Sequence, residues 1–252
     1  TVLEADDSTR YLVLEMGASG PGHIAYLTDI APLDAAGVLM IGHAHMGGFG
    51  SIEGVAAAKA EIIAGLRPEG IAILNADDAR AAAMAELAPA RVLTFSAQGR
   101  QADLRAENVD LDAVARAAFD LHLPGLAEPR RVQLAVAGVH NVSNALAAAG
   151  LALASGIAPE LIADRLGSVS IESPHRMDIS ELSGDLLLID DSYNANIDSM
   201  TAALAVLPAL AGERRRVVVI SEMLELGESS AADHARTGEL AARAGAAMLI
   251  GI

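Results

Sequence analysis

Cysteine is absent from the 252-residue chain, which excludes disulfides, Cys-ligated zinc and thiol nucleophiles. Tryptophan is absent too, and aromatics make up only 2% of the residues, so a core must be built from Ala, Leu, Val and Ile. Basic residues are scarce: 17 Lys and Arg against 33 Asp and Glu leave a formal net charge of −16. A surface that acidic repels phosphate backbones and anionic lipid, which argues against a nucleic-acid or membrane-surface role but not against a local phosphate pocket. No apolar run reaches the ~18 residues of a membrane helix, although mean hydropathy is +0.38. No membrane insertion is expected. No signal peptide opens the chain, so a cytoplasmic protein is expected. The sequence starts at Thr1 and stops inside the apolar run 248–252, and it reads as a fragment of something longer.

With 52% hydrophobic and 20% charged residues the composition is that of a globular protein. The length admits one large domain or two of roughly 150 residues. Apolar runs at 11–16, 37–42, 70–75 and 91–96 read as strands, and 22–30, 51–66 and 77–87 as helices. That alternation predicts an α/β fold with a mostly parallel sheet covered on both faces. From 102 to 136 the strands become shorter and more polar, and 114–123 with 131–136 read as an antiparallel pair. Helices follow at 141–154 and 159–166. A second α/β series is expected after an aperiodic linker at 168–176, with strands at 177–182, 185–190 and 216–220 and helices at 198–210 and 231–244. The expected domains are 1–171 and 172–252.

Only one of the 17 basic residues is Lys, namely Lys59. Codon bias and chance retention are the bland reading. Arg cannot replace Lys where a neutral amine must react, because guanidinium stays protonated at any accessible pH. Small residues flank Lys59 and leave room for another group. No Walker A loop surrounds it. Gly17, Gly20 and Gly22 match a dinucleotide fingerprint only faintly, since the spacing is wrong and Pro21 intrudes. Glu15 ends one expected strand, while His43 and His45 leave the next, which puts them at the ligand-binding carboxyl edge of a parallel sheet. A carboxylate and an imidazole there suit a divalent ion that also holds phosphate oxygens, unless they are merely polar residues leaving strands. Glu15, His45 and Lys59 can then share one site.

His140, Asn141 and Asn144 crowd a helix start, where exposed N–H groups favour hydrogen-bonded ligands. One Asn there is often only a cap. Two Asn and a His exceed that need, and an Asn amide pairs with an adenine edge. At 190–196 a strand runs into Asp-Asp-Ser-Tyr-Asn-Ala-Asn, part of which is ordinary punctuation with Asn196 or Asp198 as the helix cap. Consecutive Asp190 and Asp191 are costly there unless a sugar hydroxyl, metal or amine pairs with them. Arg176, in the linker, is available to a phosphate.

Together the strings at 14–18, 45–51, 59–61, 74–78, 138–146, Arg176, 190–196 and 222–227 resemble the Mur ligase family, in the family's order and over nearly the whole chain. The string at 190–196 is the most specific of them; it resembles the branch that uses UDP-MurNAc-tripeptide and D-Ala-D-Ala. The resemblance implies a central ATPase-type domain followed by a Rossmann-like C-terminal domain, both incomplete. It implies ATP and Mg2+ as cofactors, and phosphorylation of a substrate carboxylate to an acyl phosphate that an amine attacks. Glu15 and His45 would then be magnesium ligands, and Lys59 a carbamylated lysine supporting a second magnesium. His140, Asn141 and Asn144 would face adenine. Arg176 and Asp191 would meet phosphates and ribose, and Tyr193, Asn194 and Asn196 would lie near the nucleotide and the amine substrate. Departures from the family pattern are Met40 for Asn, Ile197 for Pro, Ser221-Glu222 for a Gly-acid pair, and no phosphate-binding loop before Glu15. A folylpolyglutamate-type ligase and a non-catalytic nucleotide-binding module are the alternatives.

Overall fold

A computed structural model describes residues 2–42, 49–169 and 174–252. The main sheet runs in the order β1 (Leu33–Val38), β2 (Leu66–Asn75), β3 (Arg91–Ser96), β4 (Leu104–Leu111), β5 (Arg116–His122) and β6 (Arg130–Ala137). Strands β1 to β4 are parallel neighbours, whereas β4, β5 and β6 pair antiparallel. The α/β reading with its appended antiparallel strands therefore holds.

Helices cover both faces because residues of opposite parity on β2 are both apolar. Ala72 and Leu74 join a cluster with Val55 and Ile63 of α2 (Ile52–Ala64). Ile73 joins the larger cluster with Val142, Leu146 and Ala149 of α4 (His140–Ala154). Phe95, Leu104, Phe119, Leu121 and Leu146 are fully buried there, each contributing about 1.5–3 kcal/mol. Helix α4 lies close to β2 because position 150 is glycine: a Cβ there would stand 2.7 Å from Ile73 Cγ2. On the first face, α1 (His23–Ile30) packs on α2, and α3 (Ala79–Ala83) continues as a 3-10 turn over Met84–Leu87. On the second face, α5 (Pro159–Leu166) begins with proline in its first turn and packs on α4 and β6.

The second series holds an antiparallel hairpin, β7 (Asp178–Leu182) and β8 (Leu186–Asp190), then α6 (Ile197–Ala211), β9 (Val217–Ile220), α7 (Ser230–Arg243) and β10 (Met248–Gly251), which pairs parallel to β9. Helix α6 serves two cores. Leu204 packs with Val218, Ala241 and Ala244, whereas Val206 and Leu210 meet Ala115 and Ala137 of the first series.

Three expectations need correction. Residues 11–16 form no strand, and Tyr11 and Val13 are 59% and 82% exposed. An apolar run makes a strand only where a neighbour supplies the ladder, and no strand among the described residues pairs with 11–16. The strand placed at 37–42 is Leu33–Val38, because its register with β2 ends at Val38↔Leu74. The helix placed at 77–87 is a short α3 and a 3-10 turn. The expected domain boundary, between residues 171 and 172, lies outside the described residues, as do His43 and His45.

Candidate active site

Residues 39–41 leave the β1 ladder and are held by three side chains instead. Asn75 Nδ2, at the end of β2, donates to Leu39 O at 2.7 Å. Lys59 Nζ, on α2, donates to Met40 O at 3.0 Å. Ile41 N donates to Asp78 Oδ2 at 2.7 Å. The other oxygen of Asp78 caps α3, accepting from Arg80 N at 2.9 Å and Ala81 N at 3.0 Å. One carboxylate thus ties a helix start to the loop that faces Lys59.

Lys59 is half-buried. Burial pushes its amine pKa down, and the charges of Asp78 and Asp198 oppose that shift. Asp198 belongs to the first turn of α6 in the second series, and its carboxylate rests on Gly42: a Cβ built there would stand 2.7 Å from Asp198 Oδ2. Glycine at 42 therefore lets the two series meet at the Lys59 corner.

A second corner forms where α4 begins. Asn141 Nδ2 donates to Ala137 O at 2.7 Å, and Asn144 Nδ2 donates to Asn141 Oδ1 at 2.9 Å. The His140 ring folds against Gly138. Desolvation lowers the imidazole pKa, and the charge of Asp191 opposes that shift. Asp191 lies across from it. Burial raises its carboxyl pKa, while a hydrogen bond from Met177 N at 3.0 Å and the charges of His140 and Arg176 pull it down. The Arg176 guanidinium sits 4.0 Å from the centre of the Tyr193 ring. The segment 190–198 therefore spans from the His140 corner, through Asp191, to the Lys59 corner, through Asp198.

The remaining candidates divide. Asn196 caps α6 in a capping box, accepting from Ser199 N at 2.9 Å while Ser199 Oγ accepts from Asn196 N at 3.0 Å. Its amide oxygen is thus committed to the helix. Asn194 Oδ1 accepts from Ala195 N at 2.8 Å, and the residue borders a cavity of about 940 Å³ between β8 and β9 that also touches Asp191, Tyr193, Val218 and Met223. Glu15 is exposed. Among the described residues no three His, Asp or Glu side chains gather to hold a metal, and His45 lies outside the described residues. The described side chains alone do not close a magnesium cage.

The two corners present amides and an imidazole at a helix start, a guanidinium at Arg176 and a half-buried amine at Lys59. Comparison with known proteins decides the family. The Mur ligase middle domain matches residues 1–152, and the Mur ligase, glutamate ligase domain matches residues 175–252. The chain belongs to the Mur ligase family. Similar curated Mur ligases are the UDP-N-acetylmuramoyl-tripeptide–D-alanyl-D-alanine ligases of Mycobacterium bovis and Escherichia coli. The first is 43% identical over 99% of this chain and 49% of its own length, the second 39% identical over 97% and 53%. The chain thus spans about half the length of these curated relatives. A crystal structure of MurF from Acinetobacter baumannii superposes with a TM-score of 0.87 at 35% identity, covering 99% of this chain and 57% of that one. MurF ligase from Thermotoga maritima, solved in complex with ADP, gives 0.75 at 27% identity over 90% and 51%. No helix among the described residues is long and apolar enough to cross a membrane.

Sequence reasoning gave no separate role to three residues of this site. Asp78 carried a signal, since an acid just before an Ala-rich run is a capping pattern. Glu61 accepts from Gly22 N at 2.7 Å and Ala25 N at 3.0 Å, anchoring the start of α1, and no local pattern announces a contact 39 residues away. His175 bonds Asp190 at 2.7 Å across a hairpin and was equally hidden.

Proposed function

We propose that this chain supplies the nucleotide-closing and amine-handling part of a cytoplasmic ligase. The ligase joins D-Ala-D-Ala to UDP-MurNAc-tripeptide at the expense of ATP, in peptidoglycan precursor synthesis. Residues 1–171 act as the central domain and 172–252 as the C-terminal domain. The observation that carries this reading is Lys59, the one Lys of the chain, whose half-buried amine has a pKa depressed by burial in a sequence 43% identical to such ligases over nearly its whole length. A neutral amine adds to CO₂ to give a carbamate and one proton, which turns a cationic side chain into an anionic one. Arg has no such chemistry.

In this reading Glu15, His45 and carbamylated Lys59 hold Mg2+, which when bound neutralises phosphate oxygens. The chain's own groups do the rest. His140 and Asn144 meet the adenine, with Asn141 holding Asn144 in place through their amide hydrogen bond. Asp191 faces the ribose, and the fork of Arg176, held over the Tyr193 ring, donates to phosphate oxygens. Asn194, in the lining of the 940 Å³ cavity, faces the incoming amine. Asn196 serves by capping α6, which brings Asp198 to the Lys59 corner.

The test is product analysis with the whole protein, Mg-ATP and UDP-MurNAc-tripeptide. D-Ala-D-Ala should give UDP-MurNAc-pentapeptide with one ADP and one phosphate per ligation. Transfer of glutamate instead would favour the folylpolyglutamate-type alternative. Nucleotide binding without turnover would favour the binding module.

A further inference from the structure

His175, just before Arg176, has no role in the reading above, yet three hydrogen bonds tie it down. Its Nδ1 meets Asp190 Oδ2 at 2.7 Å, at the end of β8. Its carbonyl accepts from Tyr193 N at 3.0 Å, and its N–H donates to Asp178 Oδ2 at 3.2 Å. Ser192 Oγ fixes the other oxygen of Asp190 at 2.6 Å. Backbone φ is +62° at His175 and +52° at Met177, so two non-glycine residues in the left-handed region flank Arg176. That conformation is unfavourable for such side chains and persists only where contacts enforce it. The contacts are those just named, together with Met177 N to Asp191 Oδ1.

We propose that His175 is a positioning residue for Arg176: latched to Asp190, it fixes the 175–177 loop so that the Arg176 guanidinium stays over the Tyr193 ring, with its N–H donors turned to the phosphates of a nucleotide. A contact between a guanidinium and a ring uses none of the N–H donors as hydrogen bonds, so it can hold the fork in place without consuming it. The functional half of the proposal rests on the reading of Arg176 as a phosphate-facing residue. The charged groups around the imidazole are Asp190 of β8, Asp178 of β7 and Arg176 itself, with Asp191 facing Arg176. The hydrogen bond to Asp190, with the charges of Asp190 and Asp178, raises the His175 pKa, so the latch is strongest with the imidazole protonated and weakens as pH rises through its titration.

The experiment has two arms. In this chain, labelled with ¹⁵N-arginine, the Arg176 Nε–H signal should be shifted upfield by the Tyr193 ring at pH 6. It should relax as His175 deprotonates, and it should be unshifted at every pH in His175→Gln. In the whole protein, His175→Gln should raise KM for ATP several-fold at pH 6 with kcat within twofold. The wild-type KM should rise toward the variant's in alkali, and His175→Arg, which keeps a cation, should hold it low there. An unchanged Arg176 signal in His175→Gln overturns the proposal whatever the kinetics. If Arg176→Ala raises KM while His175→Gln does not, the positioning role fails and the phosphate role of Arg176 stands. If Arg176→Ala leaves KM unchanged, both fail.

Discussion

Removing the Asp78 carboxylate should loosen the Lys59 corner by a calculable amount. One oxygen caps α3 through Arg80 N and Ala81 N, and losing such a cap costs about 0.5–2 kcal/mol. The other accepts from Ile41 N at 2.7 Å, in a residue only 6% exposed. A hydrogen bond to a charged group contributes about 1.5–3 kcal/mol. Because the two losses share one side chain they do not add fully, and Asp78→Ala should destabilise by about 2–4 kcal/mol in urea unfolding. Asp78→Asn separates the two roles: its amide oxygen can keep the cap, but then an N–H₂ group is turned toward the N–H of Ile41. That variant should lose about 1–3 kcal/mol, and the Ile41 amide resonance should move in both. Loss of the Asp78 charge also removes one of the two groups opposing burial at Lys59, so the amine pKa should fall further in both variants. An Asp78→Ala protein within about 0.5 kcal/mol of wild type, the range of an ordinary surface change, would refute the bridging role.

Other outcomes follow from the same structure. Lys59→Arg in the whole protein should abolish ligation with the fold intact, and Lys59→Ala should recover part of it with formate or acetate; near wild-type ligation by the Arg variant would make Lys59 an incidental survivor. Gly150→Ala gains about 1 kcal/mol of helix propensity. It also drives a Cβ to within 2.7 Å of Ile73 Cγ2, an overpacking that costs about 1–3 kcal/mol, so denaturant titration should show a net loss. The His175–Asp190 pair gives a signed pH dependence. His175, its pKa raised from 6.5, contributes stability that is fully present below 6.5 and fades as pH rises through the folded value. Asp190, held down to about 2 by Ser192 and then by His175, contributes stability above 3.8 that is lost as pH falls through about 2. The Tm difference between wild type and His175→Gln should therefore be greatest between pH 3.8 and 6.5 and vanish in alkali; a difference flat with pH would contradict the pairing.

Much of the fold was legible because local pattern and tertiary context agree where helices and buried strands alternate. Strands at 70–75 and 91–96 and the Ala-rich helix at 141–154 needed only periodicity, since both faces of the sheet are covered. Residues 11–16 misled for the opposite reason, because an apolar run cannot announce a missing ladder partner. The shift of β1 to Leu33–Val38 has a similar origin. Residues 39–41 are as apolar as a strand, but their backbone bonds go to Asn75, Lys59 and Asp78. Among candidate site residues, the composition itself pointed to Lys59, a lone Lys among Arg. Asn196 was visible as both a cap and a substrate residue, and the capping box shows where its amide is spent. The bridging of 190–198 between two corners was not legible, since it depends on α6 packing Val206 and Leu210 against Ala115 and Ala137.

Carboxylate activation by ATP is tested most directly by following oxygen. The whole protein would be given UDP-MurNAc-tripeptide labelled with ¹⁸O in its terminal carboxylate, together with Mg-ATP and D-Ala-D-Ala, and the released phosphate would be analysed by mass. If the carboxylate is phosphorylated and the amine then displaces phosphate, one carboxylate oxygen leaves with each phosphate, so every ligation should yield a singly labelled phosphate. Unlabelled phosphate accompanying a formed peptide bond would contradict the acyl phosphate route, and with it the reading of this chain as part of a carboxylate-activating ligase.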